Sequence, residues 1–470
     1  MKKYLIFIIA CVAVCLLPFA GMAVWPTTAS TENKAMSEFP SLSDGGNLNL
    51  NFFKELEEYF NEHFAFRNEL VYADAKIQTA AFHVSNVDTV VYGKDGWLYY
   101  SSTLDDYLGN HRMSERQIYN IVHNLSLVQQ YVEQNGSAFV LAVPPNKNTL
   151  YGEYMPYYNS YLVDKTHNID VLAQKLQEQG VAYADLLSLF RSEEEVLYLK
   201  RDSHWNGKGA VMAYNCMMDA LGYPHKDYED SPVTRAKDEN GDLNRMLYTF
   251  YGEKELNYKY DIAQEYDYAN DVKSVEDVWI ETELHAGAGT GNGTLLMFRD
   301  SFGNTLIPLI ANQFEKAWFT KEVPYGLERL MEQHAPDTVI FEKVERNLSE
   351  YIKMPPIISA VQEKIPKDVE FLESDTTISM ESLEYDADYF KISGSVEKAL
   401  LENETDIVVG ISGSYYKAYH TGTNDYEVYI KKKNLQTDTV EIEVLTKDQN
   451  NYRLIKQKRI EEEGKCGAFK

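Results

Sequence analysis

The stretch "KRDSHWNGKGA", Lys200 to Ala210, brings a carboxylate, an imidazole and an indole together in one short segment. Asp202 and His204 are two residues apart, directly after the apolar "VLYL". In an extended segment such residues point the same way, so Asp202 can accept a hydrogen bond from one ring nitrogen of His204. The other nitrogen can then act as a base on a hydroxyl nucleophile. Open α/β sheets place reactive groups beyond the carboxyl ends of their strands. "TLLMFRDSFGN" offers a hydroxyl there: Ser301 follows the apolar run Thr294–Phe298, and Gly303 and a predicted helix come next. Backbone N–H groups at the helix start would face a developing oxyanion. Trp205 is expected behind the imidazole. The chemistry would be acyl transfer through nucleophile Ser301, base His204 and orienting acid Asp202. The competing reading is a surface D-x-H beside an unrelated serine. The chain has 10 histidines, and spacing alone leaves both readings open.

Those side chains need a scaffold, and the surrounding pattern predicts one. Residues 114–135 read as a helix ended by Gly136, and Ala138–Val143, "AFVLAV", reads as a strand buried on both faces. A helix over 168–179, a strand over 181–186 and a helix over 208–221 follow. Strands are predicted again at 294–298, 317–320 and 338–341, with helices at 305–314 and 325–334. This alternation implies a parallel sheet in a three-layer α/β/α sandwich. "VVYGKDGWLYY", from Val90, reads as a hairpin around Asp-Gly. Residues 222–290 are polar, rich in Tyr, Asp and Glu and weakly periodic, so they read as an insertion. Short alternating segments over 385–462 predict a small sandwich-like β domain.

The 470 residues suffice for two or three domains. Lys2 and Lys3 precede an uncharged run from Tyr4 to Trp25, long enough for the roughly 20 residues that span a bilayer. It reads as an anchor over 1–25 with the basic end inside; the alternative is a cleaved signal peptide ending near Gly21–Ala23. Either way the remainder would be extracytoplasmic. Residues 26–89 read as a linker and a helical lead-in, and 90–365 as the catalytic domain. A net charge of −27 argues against nucleic acid as a partner and suits a neutral or cationic one better. The 4 cysteines form no disulfide framework, and no Cys/His spacing suggests a metal. The glycine-rich "HAGAGTGNG" precedes a strand and lacks the Lys-Ser/Thr pair of a phosphate loop.

"RDSHWNGKGA" followed by "MFRDSFGN" resembles the alginate O-acetyltransferase-like (DHHW) branch of the SGNH hydrolase superfamily. "YGKDGWLYY", "VPPNKNTLY", "VAYADL" and "GDLNRML" are similar to family segments, in the same order. The resemblance covers roughly residues 45 to 350. It implies a flavodoxin-like sandwich and a Ser–His–Asp triad in which acid and base precede the serine. It also implies O-acetylation of a cell-surface or secreted polysaccharide without a cofactor, at the bacterial membrane, with acetyl groups delivered by a membrane-bound acyltransferase or exporter. The alternatives are a carbohydrate esterase with the same triad and a non-catalytic polysaccharide-binding scaffold. Pro144–Tyr151 follows a predicted strand at the same sheet edge as Ser301. Asn146 or Lys147 is a candidate for the oxyanion or a sugar hydroxyl, and Tyr151 for stacking on a sugar ring; otherwise the loop is simply fixed by its prolines. Arg346, after the last core strand, either reaches the site or pairs with Glu342 or Glu345.

Overall fold

The computed structural model describes residues 2–22, 24–27, 36–44, 47–110, 112–248, 253–367, 369–383, 388–435 and 439–461. Cys466 lies outside them. Helix α1 (Lys2–Met22) is long and apolar enough to cross a membrane, by length and composition. Its far end meets the corner between α2 (Phe52–His63) and α3 (Arg67–Ile77), where the Ala65 N–H donates to Pro18 O over 3.1 Å. Strands β1 (Val90–Tyr92) and β2 (Leu98–Tyr100) pair antiparallel. Asp95 and Gly96 at their turn are both left-handed, with φ of 53° and 75°, as a tight hairpin turn requires.

The chain then alternates between helix and strand. It forms α4 (Glu115–Gln134), β3 (Ala138–Ala142), α5 (Asn168–Glu178), β4 (Tyr183–Ala184) and α6 (Gly207–Leu221). A two-stranded ribbon of β5 (Val233–Glu239) and β6 (Glu255–Tyr260) follows, with α7 (Asp242–Leu247) between its strands. Next come β7 (Tyr266–Tyr268), β8 (Trp279–Leu284), β9 (Thr294–Phe298), β10 (Lys316–Thr320), α8 (Leu327–His334) and β11 (Thr338–Glu342). Seven of the strands form one sheet in the order β4-β3-β11-β9-β10-β8-β7. Strands β4, β3, β11, β9 and β10 are mutually parallel. The apolar runs fit this because alternate side chains enter different cores. Phe139 and Leu141 pack with α4, α5 and α8, whereas Val140 and Ala142 pack with α6.

The sheet departs from the sequence expectation in one respect. It is mixed: β8 pairs antiparallel to β10, and β7 antiparallel to β8. Both strands come from the stretch read as an insertion at 222–290, which therefore supplies one edge of the sheet. The half-exposed face of β8 carries Glu281 and Glu283, and β7 is the short Tyr-Asp-Tyr stretch with two exposed residues, so neither reads as a buried apolar run. The predicted helix over 305–314 is a 3-10 turn, Phe302–Thr305, followed by a short helix at Ile307–Ala311.

Toward the C-terminus, a six-stranded and a four-stranded sheet enclose their own apolar core. Their strands begin at Gln362–Glu363, ahead of the expected start at 385. This β unit docks on a polar stripe of α4 at helical spacing. Arg116 donates to Thr405 O, Tyr119 donates to Asp406 over 2.6 Å, and His123 donates to Ala418 O over 2.9 Å. The Asn124 carboxamide donates to Tyr351 O (2.8 Å) and His420 O (3.0 Å) and accepts from His420 N (2.9 Å). Each buried backbone group left without a partner costs roughly 1–3 kcal/mol. Asn124→Leu, similar in size, is therefore expected to lower the thermal midpoint clearly; an unchanged midpoint would show that this seam does not hold the β unit.

Candidate functional site

Ser301 sits on the turn after β9. The Asp300 carboxylate shapes that turn by accepting from Phe302 N and Val344 N, each at 2.9 Å, which ties it to the chain leaving β11. Beneath it, Glu342 accepts from Asp300 N over 2.9 Å. Burial, with the Asp300 charge adding to it, pushes the Glu342 carboxyl well above the usual carboxylate range. Gly303 has no room for a side chain, because a Cβ there would lie 2.7 Å from Arg299 Cβ and 2.9 Å from Glu342 Oε2. The Ser301 N–H has no acceptor among the described residues.

Asp202 and His204 occupy a tight loop between β4 and α6. Leu199 N donates to His204 O (3.1 Å) and Asn206 N to Leu197 O (2.7 Å), which pinches the loop at its base. Its interior is filled by the Lys147 ammonium, which donates to Leu199 O, Lys200 O and Asp202 O at 3.1, 3.1 and 2.6 Å. Burial pulls that lysine down to about 8, although Asp202, Glu255 and Asp242 favour its charge. Glu255 caps the outside of the loop, accepting from Lys200 N (2.5 Å) and Arg201 N (2.9 Å).

Within this frame, Asp202 Oδ1 accepts from His204 N (2.9 Å) and from His204 Nδ1 (2.6 Å), while Oδ2 accepts from Asp242 N (2.7 Å). Burial works against the Asp202 charge, but these contacts outweigh it and hold the carboxyl well below its ordinary range. Burial likewise opposes charge on His204, yet Asp202, with Asp242 beyond it, raises the ring above its usual 6.5. With its proton on Nδ1, the ring presents Nε2 as an acceptor. Ser301 Oγ lies 2.8 Å from it. The structure thus brings together the three side chains singled out in the sequence. The ring packed on the imidazole is Phe302, at 4.7 Å between centroids; Trp205 stands edge-on to Phe302 at 5.0 Å and donates to Thr305 Oγ1 over 2.6 Å. Trp205 therefore sits one layer further back than expected.

The other predicted site residues fare differently. Lys147 is committed to backbone carbonyls and does not reach outward. The Tyr151 hydroxyl accepts from Leu197 N over 2.8 Å, and its ring lies 5.3 Å from that of Trp97, so it braces the loop. Asn146 donates its backbone N–H to Glu345 over 2.6 Å. Asn146 is 1% exposed, and neither the oxygen nor the nitrogen of its carboxamide has a hydrogen-bond partner among the described residues, which is unusual for a buried polar group. Arg346 makes no ion pair among the described residues; its guanidinium lies 5.6 Å from the ring centroids of Tyr100 and Phe302. The alternative pairing with Glu342 or Glu345 does not form among the described residues; the Glu345 carboxyl accepts from Asn146 and Thr149, and burial pushes it well above the usual range.

Sequence reasoning missed Asp242. Its carboxylate accepts from Ser203 N (2.7 Å) and Ser203 Oγ (2.5 Å) and lies 3.7 Å from His204 Nδ1. Gly241 allows this approach, because a Cβ there would lie 2.1 Å from Arg201 O. The only signal was the family-like "GDLNRML". Asp202, His204 and Asp242 also place three potential ligand atoms within 4.8 Å of one another, but they face each other as hydrogen-bond donors and acceptors. NMR titration is expected to give the His204 ring a pKa above 6.5, and Asp242→Asn is expected to lower it. An unchanged titration would remove Asp242 from the electrostatics of the site.

Comparison with known proteins matches residues 90–284 to the family described as an SGNH hydrolase-like domain, acetyltransferase AlgX. That span contains Asp202 and His204 and stops short of Ser301. The chain is 25% identical over 229 residues to the probable alginate O-acetylase AlgJ of Pseudomonas syringae pv. tomato, covering 46% of this chain and 55% of that protein. The chain thus spans about half the length of that relative. Among solved structures, Bacillus cereus PatB1 aligns with 19% identity and a TM-score of 0.44, over 56% of this chain and 97% of that one. A DHHW family protein from Eubacterium siraeum aligns with 15% identity and a TM-score of 0.41, over 56% and 93%. Over residues 90–284, which hold the D-x-H-W segment, the chain resembles the acetyltransferase branch of the SGNH hydrolase-like family.

Proposed function

We propose that the protein is an O-acetyltransferase that modifies a polysaccharide outside the cytoplasmic membrane. The observation that carries this reading is the continuous hydrogen-bonded chain from Asp202 through His204 to Ser301, at 2.6 and 2.8 Å. The family match over 90–284 and the name of the curated relative support acetyl transfer as the reaction. In this reading 90–365 is the catalytic domain, a three-layer α/β/α sandwich. Helix α1 is its membrane anchor, and a membrane-bound acyltransferase or exporter presents the acetyl donor.

The reaction proceeds in two steps. Ser301 Oγ passes its proton to His204 Nε2 and bonds to the acetyl carbonyl carbon. Asp202 keeps the Nδ1 proton in place and stabilises the imidazolium. The carbonyl oxygen becomes an oxyanion, for which the unpartnered Ser301 N–H is a donor. The orphaned Asn146 carboxamide, following β3 at the same sheet edge, is assigned to the oxyanion or to a sugar hydroxyl. The bond from the carbonyl carbon to the donor's oxygen breaks, and that oxygen takes the proton from His204. In the second step a sugar hydroxyl gives its proton to His204 and attacks the acetyl carbon; Ser301 Oγ leaves and is reprotonated. Water in place of the sugar would make the same site an esterase.

The test combines a chromogenic acetyl ester with an oligosaccharide acceptor. The acetylated oligosaccharide is expected as product, and Ser301→Ala or His204→Ala should each reduce turnover by at least ~10²-fold. Chromophore release without transfer would make the protein an esterase, and neither activity would leave a binding scaffold. The base must be neutral to act, and its folded pKa is raised. Activity is therefore lost as pH falls through that value, and the acidic limb of kcat/KM is expected above pH 6.5. A limb well below 6.5 would contradict His204 as the base.

A further inference from the structure

We infer that the cavity between the β1–β2 hairpin tip and residues 156–160 binds a neutral pyranose oligosaccharide, the acceptor polymer a few units away from the reacting hydroxyl. This deepens the reading above and rests on it for the word acceptor, though not for binding. The cavity has a volume of about 1080 Å³, slightly above the roughly 300–1,000 Å³ typical of small-molecule sites. Tyr92, Lys94, Tyr157, Asn159 and Arg201 are among its walls.

The chemistry of those walls is that of sugar recognition. Of the lining rings, Tyr157 is 60% exposed; outside the lining, the half-buried Tyr158 ring lies 4.6 Å from it and the Tyr161 ring, 64% exposed, stands edge-on at 6.1 Å. Clustered exposed rings with polar tips suit a ligand that is apolar on one face and wet at its rim. A pyranose has this character, with C–H groups on its faces and hydroxyls around its edge. The charges point to a neutral sugar. The Arg201 guanidinium is already held by Glu253, at 2.7 Å to its carboxylate and 3.2 Å to its carbonyl, and Lys94 donates to Glu153 O over 3.0 Å. Asp95 also lines the cavity. Little net positive charge remains to attract an anion, and the chain as a whole carries −27, which repels polyanions.

The cavity is also tied to the site. Arg201 precedes Asp202 in the chain, and Leu98 N donates to Lys200 O over 3.0 Å. Along the same hairpin, Tyr100 lies four residues from Gly96, roughly 13 Å of extended chain. There Arg346 lies 5.6 Å from the Tyr100 ring and 5.6 Å from that of Phe302, the neighbour of Ser301. The hairpin therefore links the cavity to the segment that carries Asp202.

The test is calorimetric titration of the full-length Ser301→Ala protein in detergent with hexamers of glucose, N-acetylglucosamine and mannuronate. At least one neutral hexamer is expected to bind, with hexamannuronate at least tenfold weaker. Tyr157→Ala should weaken the neutral hexamer at least tenfold, and Tyr157→Phe should restore it. The inference is overturned if neither neutral hexamer binds, if hexamannuronate binds best, or if Tyr157→Ala binds as the parent does. Cleavage of the small acetyl ester by the wild-type protein reports separately on acyl transfer. An inactive protein that still binds through Tyr157 would remove the enzymatic reading and keep the sugar site.

Discussion

The 2.6 Å contact between Asp202 and His204 is the interaction on which the rest of this site depends. It fixes the imidazole tautomer, and only with the proton on Nδ1 does Nε2 face Ser301 as an acceptor. Two residues of separation would ordinarily leave such a contact at the mercy of a mobile loop. Here the carboxylate is held from both sides, by His204 N and by Asp242 N, so neither of its oxygens is free to turn away.

That rigidity is built from buried polar groups and not from apolar packing alone. Lys147 is an ammonium 5% exposed, and three carbonyls of the acid-base loop surround it. A buried charge without such partners would be neutralised or expelled; with them it acts as a pin through the loop. Glu255 and Asp242 close the loop's outer side, and Asp300 does the same for the turn that carries Ser301. Strands β9 and β11 carry these pieces side by side, so the serine turn and the stretch containing Arg346 leave the sheet together.

What was legible in the sequence followed from burial. "AFVLAV" and "TLLMF" lie in a sheet covered on both faces, so their buried positions had to be apolar, and strands stand at Ala138–Ala142 and Thr294–Phe298. The pairing of D-x-H with a serine past a strand was legible because the chemistry demands those residue types. The partners of Lys147 were not legible, since a sequence gives no sign of which backbone carbonyls a distant ammonium will meet. Asp242 was hidden in a polar, weakly periodic stretch. The same stretch conceals β8, whose Glu281 and Glu283 break the apolar signature of a sheet strand, and the three-residue edge strand β7. Arg346 was open between reaching the site and pairing with Glu342 or Glu345; burial raises both of those carboxyls well above the usual range, and the guanidinium lies over the Tyr100 and Phe302 rings.

The central claim is that Ser301 carries the acetyl group between donor and acceptor. Peptide mass spectrometry of protein quenched during turnover of an acetyl ester, without acceptor, tests it most directly. The account predicts an acetyl group on the peptide containing Ser301, abolished in His204→Ala. Turnover with no acetyl on that peptide, or an adduct at another residue that persists in Ser301→Ala, would contradict it.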